Sequence, residues 1–343
     1  MLLGIVLGGN TQNVQAVPSE ETAPAILLFI GDGMGEAHRT AARWSAVGQS
    51  GQLIMDILPV SGWSQTASAD SAITDSAAAA TAMATGGKTN NGMIGINPEG
   101  ETLTTILELA QDRGWAVGLV TTVQISHATP ASFAAHVPDR NQMTDIALQM
   151  IEHHPEVLLG GGEDEFIPPS ETGCFPESGE RSDGRNLISE AIASDYTYVC
   201  DTTSLEAVNP IATTYLLGLF ADEGMSRPYA PSLAAMTDKA IAILSRDPEG
   251  FFLMVEGGQI DWPVCRGPIQ WTRAVRTKHF DRAVHVPRSM DIPALSFLWH
   301  LYARVSNNPA LLSGLHGCEL LSAACTGPSF ECRRGYRRSN RVV

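Results

Sequence analysis

The apolar positions of this chain fall into short unbroken runs, separated by stretches whose apolar residues recur at helical spacing or are mostly alanine. Residues 25–30 (AILLFI) end in Gly31-Asp32-Gly33 and predict a buried strand of a parallel sheet. Residues 115–123 (WAVGLVTTV), 157–159 and 251–255 (FFLMV) predict further strands of the same kind. The alanine-rich stretch 76–85 predicts a helix stopped by Gly86-Gly87. Further helices are predicted over 102–111, over 143–153 up to Pro155, and over 233–244. Residues 163–210, polar and rich in Gly, Pro, Ser and Glu, predict an irregular surface insertion. Strand, loop carboxylate and helix in repetition predict an α/β fold, a mostly parallel central sheet with helices on both faces. Functional side chains are then expected beyond the carboxyl ends of the strands.

Composition narrows this picture. With 343 residues the chain is long enough for one large α/β domain. No apolar run approaches the roughly 18 residues of a membrane span. A net charge of -15 argues against a nucleic-acid partner, since phosphate backbones need a cationic surface. That charge is unevenly spread: residues 1–262 carry -23 and residues 263–343 carry +8. Four of the six cysteines (Cys265, Cys318, Cys325, Cys332) also lie in the basic part. Residues 1–16 have a short apolar start and small residues at Val14-Gln15-Ala16, which read as a clipped export signal or equally as a ragged N-terminus. Cys174 and Cys200 fit either a disulfide of an exported protein or two buried thiols.

The candidate chemistry sits where the strands end. Asp32 follows the first strand among glycines, a setting for a hard cation, the ordinary alternative being a helix cap. The surrounding GDGMGE is not a dinucleotide fingerprint, because Glu36 stands where the third glycine belongs. Gly87-Lys88-Thr89 likewise fails as a phosphate loop, with Ala82 at its required upstream glycine. Ser76 opens the alanine-rich helix, near free N–H groups that would stabilise an anion or an alkoxide; taken alone, such a serine is more often an N-cap. His127 and Thr129, two apart in a predicted loop, are placed to face one pocket, and Arg140 offers a planar fork for phosphate. Glu256 and Asp261 flank Gly257-Gly258 at another strand end. Three acidic strand ends with a helix-start serine and an arginine make a coherent metal-assisted phosphoryl-transfer site.

The segments IGDGMG, TDSAAAATA, TGGKTNNGMIG, SHATPASFAAHVPDRN and FFLMVEGGQID make the chain resemble the alkaline phosphatase family over about residues 25–262. The resemblance implies that family's three-layer sandwich, with Ser76 as the nucleophile that becomes phosphoserine and Arg140 as the phosphate clamp. It implies Asp32 as a ligand shared by a magnesium site and one of two zinc sites, and His127 and Thr129 at magnesium-proximal positions. Glu256 falls at the remaining magnesium carboxylate and Asp261 at a ligand of the other zinc. Small phosphomonoester substrates, a homodimer and a periplasmic or secreted location follow from the same resemblance.

After Asp261 the likeness fails. The family has a histidine four residues on, where this chain has Cys265, and later an Asp-His pair that 263–343 lacks altogether. His279, His285, His300 and His316 stand in no matching context. Residues 263–343 therefore read as a basic tail translated in the wrong frame, or as a replacement C-terminus, and the zinc sites lose most of their nitrogen ligands. A chain of impaired activity is expected. A sulfatase or phosphodiesterase of the same superfamily is the alternative enzyme, although Ser76 lacks the following Pro-x-Arg of sulfatases. A catalytically dead fragment that binds magnesium or phosphate is the alternative without turnover.

Overall fold

The computed structural model describes residues 23–58 and 60–262, positions 277, 280, 281 and 283, and the strand Leu295–Leu301. The readings placed on residues 1–22 and on most of 263–343 lie outside the described residues.

Seven strands form one parallel sheet: β1 (Ala25–Gly31), β2 (Ala116–Gln124), β3 (Val157–Gly161), β4 (Tyr196–Val199), β5 (Tyr215–Leu219), β6 (Phe251–Gly257) and β7 (Leu295–Leu301). Their order is β4-β5-β3-β2-β6-β1-β7, and each paired register is parallel. The helices are α1 (Glu36–Val47), α2 (Ser76–Thr85), α3 (Ile106–Gln111), α4 (Ala128–Ala134), α5 (Met143–Glu152), α6 (Leu187–Ala193), α7 (Thr202–Ala207) and α8 (Leu233–Leu244). Two apolar layers hold them. One packs α2, α3, α4, α5 and α6 against side chains such as Leu28, Leu119 and Met254; the other packs α8 and the α1 face against Leu27, Val120 and Leu253. Every residue of β2, β3 and β6 is buried, which accounts for their unbroken apolar runs. This is the three-layer α/β sandwich expected from the sequence. Among the described residues, no helix is long and apolar enough to cross a membrane.

Helices α2 and α8 keep the bounds read from the sequence. Gly86 ends α2 at φ 75°, in the left-handed conformation that glycine adopts without a Cβ penalty. Helix α3 begins later than its periodicity suggests. The Thr105 hydroxyl accepts from Glu108 N at 3.1 Å and Glu108 Oε2 accepts from Thr105 N at 2.7 Å, a reciprocal cap that fixes the start. Residues 163–210 are not irregular throughout. They hold α6, α7 and the edge strand β4, and they bury Glu163 and Arg181. A disulfide joins Cys174 to Cys200 there.

The basic part of the chain also enters the fold. β7 pairs with β1 from Ala25↔Leu295 to Gly31↔Leu301. Phe280 is buried, its ring 6.2 Å from that of Phe29, and Met55 N donates to Asp281 Oδ1 at 3.1 Å.

Candidate active site

β1, β6 and β2 lie side by side, so the loops at their carboxyl ends converge. Asp32 follows β1 and is 6% exposed; Glu256 lies near the end of β6, opposite Ile30, and is fully buried. His127 follows β2 as the N-cap residue of α4, which places Thr129 in the first helical turn rather than in a loop. Asp261 caps the turn Gly258–Ile260 that follows β6. It packs against Gly33, whose φ is 60° and where an added Cβ would come within 2.2 Å of Asp261 Oδ1. Helix α1 starts only at Glu36, with Gly35 as its N-cap residue, so Asp32 does not cap it.

The start of α2 decides how Ser76 is read. Asp75, not Ser76, is the N-cap: its Oδ1 accepts from Ala78 N at 2.9 Å. Ser76 is therefore the first helical residue, with its hydroxyl released from capping. Arg140 Nη1 donates to Ser76 Oγ at 3.0 Å and to Asp75 Oδ2 at 3.0 Å. Arg140 Nη2 lies 3.2 Å from His127 Nε2, which must accept because guanidinium nitrogens only donate. Burial, and then the Arg140 charge, push the His127 pKa down to about 3, so this imidazole is neutral. Asp75 is held in turn by Gly92 N, which donates to Oδ2 at 3.0 Å, while Asp75 N donates to Asn91 Oδ1 at 2.9 Å. Asp32, Thr74, Asp75, Ser76, His127, Arg140, Asp261 and Trp262 line one cleft of about 190 Å³.

Glu256 and Thr129 lie outside that lining, in the buried wall. Thr121 Oγ1 donates to Glu256 Oε2 at 2.5 Å. Burial raises the Glu256 pKa, opposed by the Thr121 and Thr129 hydroxyls and by the Arg140 charge. Thr129 is close enough to act on the carboxyl, yet neither Thr129 Oγ1 nor Glu256 Oε1 completes a hydrogen bond. Orphaned buried oxygens of this kind call for a partner, and an oxygen-rich set of Asp32, Thr129 and Glu256 suits a hard divalent cation. The zinc side is poorer. Among the described residues lining the cleft, His127 is the one imidazole, fewer nitrogen ligands than a zinc site takes.

Five of the seven residues singled out in the sequence, Asp32, Ser76, His127, Arg140 and Asp261, line this cleft, while Thr129 and Glu256 lie outside its lining. Three further contributors had not been singled out: Asp75, which caps α2 and orients Arg140; Asn91, which holds the loop before it; and Thr121, which holds Glu256. Asp75 carries a readable signal, an aspartate immediately before an alanine-rich run. Thr121 sits inside a continuous apolar strand and carries none.

Fold and site together define a parallel α/β sandwich with a cleft at the strand ends that brings Ser76 and Arg140 together. A sequence model of the alkaline phosphatase family matches residues 23–291. The chain is 37% identical over 292 residues to an alkaline phosphatase of Gadus morhua, covering 71% of this chain and 61% of that protein. The crystal structure of Thermus thermophilus alkaline phosphatase superposes with a TM-score of 0.73 at 29% identity, covering 93% of this chain and 69% of that one. A mutant of TAB5 alkaline phosphatase, solved with Mg bound, superposes at 0.68 with 28% identity, covering 82% and 77% of the two chains. The chain belongs to the alkaline phosphatase family. It spans about six-tenths of the length of the cod protein. The family match runs on to residue 291, past the point near 262 where the resemblance in sequence stops.

Proposed function

We propose that this cleft hydrolyses phosphate monoesters through a phosphoserine at Ser76, and that this chain does so weakly. The observation that carries the reading is the pair of Arg140 contacts, to a Ser76 hydroxyl freed from capping and to the Asp75 that frees it. In the first step Ser76 Oγ gives up its proton and attacks phosphorus, while the ester oxygen leaves with its electron pair and is protonated. In the second, water attacks phosphorus, and Ser76 Oγ leaves and regains a proton, releasing inorganic phosphate. Arg140 binds the non-bridging oxygens with its fork, and the N-terminal N–H groups of α2 add positive potential. Asp32, Thr129 and Glu256, with His127 beside them, would hold magnesium; Asp32 and Asp261 alone are too few for a zinc, which needs about three protein ligands. When bound, magnesium would supply Lewis-acid stabilisation of the charge developing on the phosphoryl oxygens. The Mg-bound TAB5 relative and the orphaned oxygens of Glu256 and Thr129 support the magnesium part. Cys265 four residues after Asp261, and the lack of an Asp-His pair in the sequence of 263–343, support the impairment, and the Cys174–Cys200 disulfide supports export to an oxidising compartment.

Purified chain supplied with Zn²⁺ and Mg²⁺ and assayed on a chromogenic aryl phosphate should turn over well below the common enzymatic rate of about 10 s⁻¹. Ser76→Ala should remove at least about 99% of what remains. Turnover at ordinary rates would overturn the impairment, and turnover that survives Ser76→Ala would overturn the nucleophile.

A further inference from the structure

A second group of metal-ligating side chains lies outside the cleft, where α3, the segment after α4 and the C-terminus of α5 meet. Glu108, His136 and His153 each offer a ligand atom there, all three within 4.8 Å of one another, the one such group among the described residues. Glu108 Oε1 is 3.0 Å from His136 Nε2 and 3.8 Å from His153 Nε2. Two donors on one tetrahedral zinc stand roughly 3.3 Å apart, given bonds of about 2.0–2.2 Å, so these spacings suit a shared ion.

The hydrogen bonds around the group already have the pattern of a ligand shell. His136 Nδ1 lies 2.7 Å from the Gly95 carbonyl, which can only accept, so Nδ1 carries a proton. Nε2 is then the nitrogen turned toward the Glu108 carboxylate, 3.0 Å from Oε1. Two acceptors at 3.0 Å repel unless a proton or a metal ion lies between them. A histidine that donates one N–H to a backbone carbonyl and presents its other nitrogen is oriented as metal-ligating histidines are. Glu108 divides its work: Oε2 accepts from Thr105 N in the helix cap, which leaves Oε1 to the histidines. Glu152 adds negative potential at His153. The three side chains are 13–28% exposed, which gives an ion a way in.

We infer that Glu108, His136 and His153 form a structural site for a divalent transition-metal ion of the zinc class, clipping α3, the end of α4 and α5 together. Two imidazoles and one carboxylate favour zinc over magnesium or calcium, which prefer an all-oxygen shell. Binding places the ion where the His136 Nε2 proton of a plain ion pair would sit, and that proton is released to solvent. None of the three residues lines the cleft, so the inference is independent of the proposed reaction.

The test uses the full chain and zinc chloride alone. Zinc per chain is counted by mass spectrometry after dialysis, in the parent and in His153→Asn, and the imidazole nitrogens are followed by ¹⁵N NMR during titration. We expect His153→Asn to hold one zinc fewer, with affinity for that ion at least about tenfold weaker. We also expect His136 Nε2 to lose its proton and shift on adding zinc to the parent. Equal zinc content in both proteins would overturn the site, as would a His136 that keeps both ring protons at saturating zinc. Glu108→Gln, which keeps the Thr105 cap through its amide oxygen, gives a second reading of the same count if His153→Asn does not fold.

Discussion

Asp75 and Ser76 show at the residue scale how one position decides what its neighbour can do. A serine that caps a helix spends its oxygen on an N–H, whereas a serine one residue further on does not. With Asp75 as the cap, Ser76→Ala should leave stability within about 0.5 kcal/mol of the parent while removing turnover. Asp75→Ala should cost about 1 kcal/mol from the lost cap and in addition release Arg140. Urea unfolding of both variants checks this; a Ser76→Ala protein as destabilised as Asp75→Ala would show that the serine is a cap after all. Much of the candidate site was legible in the sequence: Asp32, Glu256 and Asp261 stand out as acids beside glycines at strand ends, Ser76 by opening the alanine-rich helix, and His127 and Arg140 by chemistry and by the family-like segment that carries both. Thr121 did not, because a threonine within the apolar run of β2 looks like any other strand residue.

Among the elements, long apolar runs and alanine-rich stretches were readable, and short or capped pieces were not. β4 and β5 have four and five residues, too short for periodicity to separate them from loop. The capping box of Thr105 and Glu108 trimmed α3, which its apolar spacing alone had extended. The short turn Asp164–Phe166 presents a further case, since it buries two adjacent acids. Burial, joined by the charges of Glu180, Glu223 and Asp222, raises the Asp164 pKa to about 6, and Glu165 is raised well above its ordinary value. A carboxyl whose folded pKa exceeds its unfolded one binds more protons in the folded state. Stability therefore falls as pH rises from about 4 through about 6. Asp164→Asn should flatten that fall, so that its melting temperature gains on the parent as pH rises from 4 to 8. Parallel curves for the two proteins across that range would contradict it.

For the whole molecule, the question is how far the acidic part and the basic part belong to one fold. The charge of -15 is the sum of a -23 body and a +8 remainder, and the family likeness crosses the boundary to reach residue 291. Phe280 is the residue on which to measure this, being fully buried against Phe29 and close to Gly257. Phe280→Ala should cost about 3–5 kcal/mol, as a core phenylalanine does. A change below about 1 kcal/mol, read from denaturant unfolding, would place that segment outside the core.

An anion has little reason to seek a chain of this charge unless a built site draws it in. The most direct measurement is isothermal titration of the full chain with inorganic phosphate in the presence of Mg²⁺. We expect one phosphate per chain, with affinity at least about tenfold weaker, or 1.4 kcal/mol, in Arg140→Ala, and unchanged in His153→Asn. Absence of binding, or equal affinity in the parent and Arg140→Ala, would contradict a phosphate site at Ser76 and Arg140.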